Sequence, residues 1–180
     1  MNLPKTLLLA CLVAINVHAR ASDLPAVTPV AHVDLPRFMG NWYVIATIPT
    51  RFEKNAYNAL EVYTLTPNGD VATSFHFNED GFDGERKEIH STGFVKQGTG
   101  NAVWGVQVFW PLKAQYIVAY LKDDYSQVIV ARDARDYVWV MARTPTIVDA
   151  DYASLLAQVK ALGYPMEKIR KVPQRPSETE

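Results

Sequence analysis

From residue 41 onward, apolar and polar residues alternate with period two in short runs separated by turn residues, the pattern of half-buried strands. The first run covers 42–48 and is closed by Pro49. The second, 59–66, is closed by Pro67-Asn68-Gly69-Asp70, where Pro presets φ and Gly accepts a positive φ. In the third, 71–77, Val71, Thr73, Phe75 and Phe77 share a face, and a polar loop follows at 78–84. The fourth, 87–96, turns at Gln97-Gly98-Thr99-Gly100-Asn101. The fifth, 102–110, puts Trp104, Val106, Val108 and Trp110 on one face before Pro111. Runs at 115–121, 127–132 and 137–143 complete the series, the first two joined at Lys122-Asp123-Asp124 and the last followed by Pro145. Short links without intervening helices imply antiparallel pairing. Closing the sheet on itself covers its apolar face and removes its edges. The pattern therefore predicts an all-β, eight-stranded antiparallel up-and-down barrel, with a two-sheet sandwich as the alternative. The period then changes: Tyr152, Leu155, Leu156, Val159 and Leu162 form one helical stripe, with Asp149 as the expected cap and Gly163 as the stop. This single C-terminal helix is expected to pack on the outside of the barrel.

The N-terminus carries a different signal. Lys5 precedes a mostly apolar stretch over 7–17, and Ala19-Arg20-Ala21 is an A-x-A site, so 1–21 reads as a signal peptide. Cleavage there would leave 159 residues (180 minus 21) with a charge of -3, because Lys5 and Arg20 go and 16 basic residues face 19 acidic ones. A second export reading uses Leu8-Leu9-Ala10-Cys11, which resembles a bacterial lipobox with Cys11 as the candidate for lipidation. Residues 22–33, interrupted by Asp23, Pro25 and Pro29, read as a flexible leader, and 173–180 as a frayed polar tail.

Composition narrows the function classes. Of 180 residues, 48% are hydrophobic and 21% charged, which excludes a disordered chain. The formal charge is -1 with no basic stripe, so a nucleic-acid partner is not expected. Cys11 is the only cysteine, which removes any intrachain disulfide or thiolate metal site. His32, His76 and His90 have no zinc spacing, and no G-x-S-x-G, phosphate-loop or dinucleotide pattern occurs. No catalytic residue, metal or cofactor is assigned, and the expectation is a binding protein, not an enzyme.

Three segments carry a resemblance. Asp34-Leu35-Pro36-Arg37-Phe38-Met39-Gly40-Asn41-Trp42-Tyr43 resembles the opening of lipocalins, a helical turn followed by Gly-x-Trp-Tyr. Leu121-Lys122-Asp123-Asp124-Tyr125-Ser126-Gln127 is similar to the family's turn between strands six and seven, with Lys122 in place of the usual Thr. Trp139-Val140-Met141-Ala142-Arg143-Thr144-Pro145-Thr146 is similar to its eighth strand, which ends in an Arg. Together with Arg51-Phe52-Glu53, the last segment is closest to the bacterial lipocalin subgroup. The resemblance spans 34–172 as one domain. It implies a structural motif of Gly40, Trp42, Tyr43 and Arg143, with the Arg across the Trp face at the closed end. It also implies export, mostly with lipid anchoring at the outer membrane, and binding of fatty acids or lysophospholipids; the leader itself favours the other form, a periplasmic protein cleaved after Ala21. Membrane association through the anchor and a homodimer are left open as partners.

Strand phase supplies the candidate cavity: Val44, Ala46, Tyr63, Val71, Thr73, Phe75, Phe77, Trp104, Val106, Val108, Tyr116, Val118 and Tyr120. Such a lining, with few charges, suits a hydrophobic small-molecule ligand, a single-chain lipid above all, and Trp104 should carry most of its fluorescence response. Among the charged rim residues, Arg51, Lys54 and Lys113 are the candidate mouth cations for a head group, with Arg86, Lys87 and Arg135 also on these loops. The other readings are an envelope interaction module with a filled barrel and a lipocalin-fold enzyme. Expressed with its leader in a bacterial host, the protein should fractionate with the envelope and begin near Ser22. A lipid-modified product beginning at Cys11 would select the anchored form, whereas full-length cytoplasmic protein would contradict export.

Overall fold

The computed structural model describes residues 24–51 and 53–175. The expected signal segment, with Cys11, lies outside them. A short helix α1 (Leu35–Phe38) leads into β1 (Gly40–Ile48), β2 (Ala56–Leu65), β3 (Val71–Glu79), β4 (Arg86–Val95), β5 (Val103–Gln107), β6 (Ala114–Leu121), β7 (Gln127–Ala131) and β8 (Val138–Ala142). Helix α2 (Asp149–Ala161), a 3-10 turn at Met166–Lys168 and a two-residue strand β9 (Arg170–Lys171) follow. Neighbours pair antiparallel from β2 through β8. Strand β1 pairs with β8 on one side and β2 on the other, which closes the barrel.

The closed end is built from the segment around α1. Asp34 caps the helix by accepting from the Arg37 N–H, and Gly40, at φ +91°, makes the sharp entry into β1. Phe38 and Trp42 are fully buried there, and the Trp42 indole N–H donates to the Phe38 carbonyl at 2.8 Å. Phe38 stacks on Tyr63 at 5.7 Å and meets Trp104 edge-on at 5.6 Å. The Arg143 guanidinium lies 3.8 Å from the Trp42 ring centroid. It also donates to the carbonyls of Arg37, Phe38, Asn41 and Tyr125. The guanidinium thus ties β8, α1 and the start of β1 through a cation-π contact and charge-assisted hydrogen bonds.

Two bulges correct the expected strand phase. The β1–β8 register shifts between Val44 and Ala46, and the β6–β7 register between Val118 and Tyr120. Each extra residue reverses the faces beyond it. Val44 and Val118 therefore point inward, while Ala46 and Tyr120 belong to the outer cluster under α2. In that cluster Leu155 and Val159 of α2 pack with Ala46, Ile48, Ile117, Ile129, Val138 and Val140. Burying those two side chains contributes roughly 3–6 kcal/mol. Asp149 is the first helical residue, not the cap; Val148 takes the cap position without a side-chain hydrogen bond.

Strand β5 stops at Gln107, short of the expected 110, and Trp110 is 87% exposed instead of facing inward. The described part of the leader is not flexible. Val27 and Val33 are buried, and the N–H groups of Val27, Val30 and Val33 donate to Asp133, Val118 and Gly100. The tail also has a structural task as far as Arg175. Strand β9 pairs with Ala46 and Thr47 of β1. The Gln174 amide bridges the carbonyls of Val44 and Ala59 at 2.8 and 2.9 Å. The frayed-tail expectation thus fails for 173–175.

Trp42→Ala should lower stability by about 3–5 kcal/mol, because it empties the base and orphans the Arg143 face. Arg143→Ala should cost about 2–3 kcal/mol, since it leaves carbonyls without their charged donor. Urea midpoints measure both. An unchanged midpoint for Trp42→Ala would contradict the role of this end as the keystone of the barrel.

Candidate functional site

Between the packed base and the open end lies a cavity of about 570 Å³, within the usual range for small-molecule sites of roughly 300–1,000 Å³. Of the residues expected from strand phase, Tyr63, Thr73, Phe75, Trp104, Val106, Val108 and Tyr116 line it. Val44, Val71 and Val118 point inward but are consumed in the packed core with Phe38 and Trp42. Phe77 is also buried in that core, against Phe75 at 5.2 Å, and does not line the cavity. Ala46 and Tyr120 are behind the wall for the reason given by the bulges. Gly40, Trp42 and Arg143 form the base, and Tyr43 alternates to the outer face.

The mouth cations separate. Arg51 lines the cavity. Lys54 is exposed and off the lining, and the Lys113 ammonium sits 3.3 Å from the Phe94 ring centroid on the outer face of the sheet. Lys87 pairs with Glu85 at 2.7 Å, and Arg86 is exposed, so neither faces the cavity. Arg135 is not a rim cation. It is buried and donates to the carbonyls of Pro25, Asp133 and Leu162, pinning the leader and the end of α2. Arg132 takes a place in the lining instead, paired with Asp136 at 3.0 Å. The rim is also apolar: Phe109 and Leu112 are lining residues, 65% and 76% exposed.

The lining holds more polarity than the alternation implied. The hydroxyl of Tyr116 donates to that of Tyr63 at 3.1 Å, and burial raises both phenols above their ordinary range. Glu53 accepts from the Thr50 hydroxyl at 3.0 Å and from the Trp139 indole at 3.1 Å. Burial raises its pKa against the opposing effect of those donors. Glu61 is placed on β2 opposite Trp42 and Phe75, with its side chain in the cavity wall. Its Oε2 is buried with no hydrogen-bond partner. Burial, and secondarily the negative charge of Glu53, push its pKa up to about 8, so it is mostly protonated at neutral pH.

Glu61 was visible in the sequence, since it stands two residues before Tyr63 and so shares its inward phase. Trp139 and Met141, also lining, share the phase of Arg143 in the same way. Thr50, Glu53, Phe109 and Leu112 lie on loops, where periodicity carries no signal. Among the described residues, no group of three or more His, Cys, Asp or Glu side chains could hold a metal ion. His76 is on the outer face beside Glu88, at 3.7 Å.

The chain matches the Lipocalin-like domain family over residues 33–174. It is 30% identical over 166 residues to the outer membrane lipoprotein Blc of Escherichia coli K12, covering 91% of this chain and 93% of that one. It is 28% identical over 151 residues to temperature-induced lipocalin-1 of Arabidopsis thaliana, covering 79% and 80%. Among solved structures, lobster apocrustacyanin A1 superposes with a TM-score of 0.63 at 10% identity, covering 80% of this chain and 81% of that one. Insecticyanin of the tobacco hornworm Manduca sexta superposes with a TM-score of 0.63 at 15% identity, covering 86% and 87%.

The Glu61 carboxyl binds its proton more tightly in the folded chain than in the unfolded one. Its stabilising contribution is therefore complete below about pH 4.5 and is lost as pH rises through about 8. Glu61→Gln should flatten that part of the stability profile, making the variant more stable than wild type by about 2–4 kcal/mol at pH 8 to 9, with little difference near pH 4. Denaturation midpoints across this range measure it, and parallel profiles would mean that the carboxyl is effectively solvated.

Proposed function

This chain belongs to the lipocalin family, and on that premise we propose that it is a non-catalytic carrier of single-chain lipids, fatty acids or lysophospholipids, in the bacterial cell envelope. The observation that carries the reading is the cavity of about 570 Å³, open at the mouth and walled by Phe75, Ile89, Trp104, Val106, Val108 and Met141. Such walls reward a hydrocarbon chain at about 0.8 kcal/mol per buried methylene. The width of an eight-stranded barrel favours one chain over two. The exposed apolar residues Phe109, Trp110 and Leu112 sit on the loop at the entrance, where they suit loading from a lipid surface. Export, with Cys11 as a site for a lipid anchor, is supported by the likeness to Blc proteins, which are named as outer membrane lipoproteins. Periplasmic release after residue 21 is the alternative form of the same export.

Among the described residues no catalytic set is assembled in the cavity, which supports binding over turnover. The nearest thing to one, Ser74 Oγ 3.0 Å from His90 Nδ1 with Glu88 at 3.4 Å on the other ring nitrogen, lies on the exposed outer face, away from the cavity.

Delipidated protein titrated with fatty acids of increasing length should show saturable quenching of tryptophan fluorescence. Each added pair of methylenes should tighten binding by up to about 1.6 kcal/mol, roughly fifteenfold, until the cavity is full. Because both Trp104 and Trp139 line the cavity, Trp104→Phe should remove only part of the signal, contrary to the expectation that it carries most of it. Failure of every single-chain lipid to saturate would sink the carrier reading and favour a filled-barrel interaction module.

A further inference from the structure

The two carboxyl groups of the cavity differ in one respect. Both oxygens of Glu53 are occupied, one by the Thr50 hydroxyl and one by the Trp139 indole. Glu61 Oε2 is buried without a donor, although the side chain is part of the cavity wall. Buried acceptors in folded proteins nearly always have partners, because an unmade hydrogen bond there forfeits the solvation that burial removed. A protein that keeps such a group facing an apolar cavity leaves room for a ligand to supply the donor.

We infer that Glu61 anchors a ligand amine: the cavity takes a single-chain amphiphile whose protonated amino group seats on the Glu61 carboxylate, its hydrocarbon chain running over Val106, Phe109 and Leu112 to the mouth. This rests on the reading of the cavity as a single-chain-lipid site and specifies the head group it rewards. A carboxylate head at this depth would be a negative charge buried beside Glu53 and Glu61, in surroundings where burial already raises both carboxyl pKa values. An alcohol would make a neutral hydrogen bond, weaker than the charge-assisted bond of an ammonium. The protonation balance is simple. At neutral pH the amine arrives as the ammonium, Glu61 gives its proton to solvent, and the resulting carboxylate accepts from the ammonium N–H.

The groups around Glu61 permit this exchange. Glu53 faces it from the link before β2, Tyr63 from its own strand and Tyr116 from β6. The strand partners Trp42 on β1 and Phe75 on β3 carry no charge. Of the two lining cations, Arg132 is held by Asp136, and Arg51 follows β1 at the mouth. The phenols stay protonated in the neutral range, so the proton released on amine binding comes from the carboxyl pair.

The test uses delipidated full-length mature protein with dodecylamine, dodecanol and dodecanoate below their micelle-forming concentrations. The amine should bind wild type at least about tenfold more tightly than the acid. Calorimetry at pH 7 in two buffers of different ionisation enthalpy should show release of about one proton per amine bound. Glu61→Gln should erase the amine preference and the proton release while strengthening dodecanoate binding, its melting temperature confirming the fold. Equal affinity for amine and acid in wild type, or amine binding without proton release, overturns the inference and leaves the single-chain-lipid reading standing. That measurement needs no variant. Binding of none of the three would overturn both.

Discussion

A sheet that closes must satisfy both edges of every strand, and in this barrel the difficulty is concentrated at β1. From Tyr43 to Ile48 one edge belongs to β8. On the other edge β2 pairs only from Gly40 to Tyr43 and then diverges. The backbone beyond would be left open at a position that is buried on both faces, where unpaired peptide groups are costly. The C-terminal segment resolves this. Strand β9 takes up Ala46 and Thr47, the Val172 N–H donates to the Ile45 carbonyl, and the Gln174 amide spans from Val44 to Ala59. The stretch after the helix is therefore part of the barrel wall. The placement of α2 follows from the same need, since the helix brings the chain back to that seam while covering the outer cluster.

The base and the seam together determine where empty space can exist. Phe38, Trp42 and Arg143 fill one end of the tube, and the large side chains of Val71, Val118 and Trp104 pack on them. Trp104 stacks nearly parallel on Tyr116, with ring centroids 4.6 Å apart. Packing is spent at the base, so the cavity lies between that aromatic layer and the mouth loops. Three of those links, β1–β2, β5–β6 and β7–β8, contribute lining residues, and they have little regular structure to dictate which side chains they turn inward.

How much of this was legible in the chain depended on the kind of constraint. Period-two alternation located all eight strands, because one wet face and one dry face leave a direct imprint on the sequence. The base was legible through Gly40, Trp42 and Arg143. Ala46 and Tyr120 were misplaced because a bulge inserts one residue with no composition of its own and inverts everything beyond it. Trp110 was misplaced because alternation by chance continues past the true end of β5 into the loop. The leader and tail looked disordered since their attachments are backbone hydrogen bonds and close approaches, as where Ala31 passes against Gly100, and neither produces a periodic signal. Arg135 looked like a solvated rim cation because nothing local shows that the carbonyls of Pro25 and Leu162, from distant segments, converge on it.

Glu61 is a different case. Its inward phase could be read from Tyr63, yet a charged residue on an apolar face invites the reading that the face is wrong. The side chain does lie in the cavity wall, and burial first, then the charge of Glu53, push its pKa up to about 8. A leucine there would pack without an unmet acceptor, so the acid is a cost to the empty protein. That cost has a direction. It is smallest when the carboxyl holds its proton, and it is removed when a donor arrives from outside. A barrel lined only by hydrocarbon discriminates ligands by length and girth, since methylenes are worth nearly the same wherever they are buried. One unpaired carboxyl set in that lining adds discrimination by head group, because polar groups left without partners on binding penalise the wrong ligand far more than a missing methylene does.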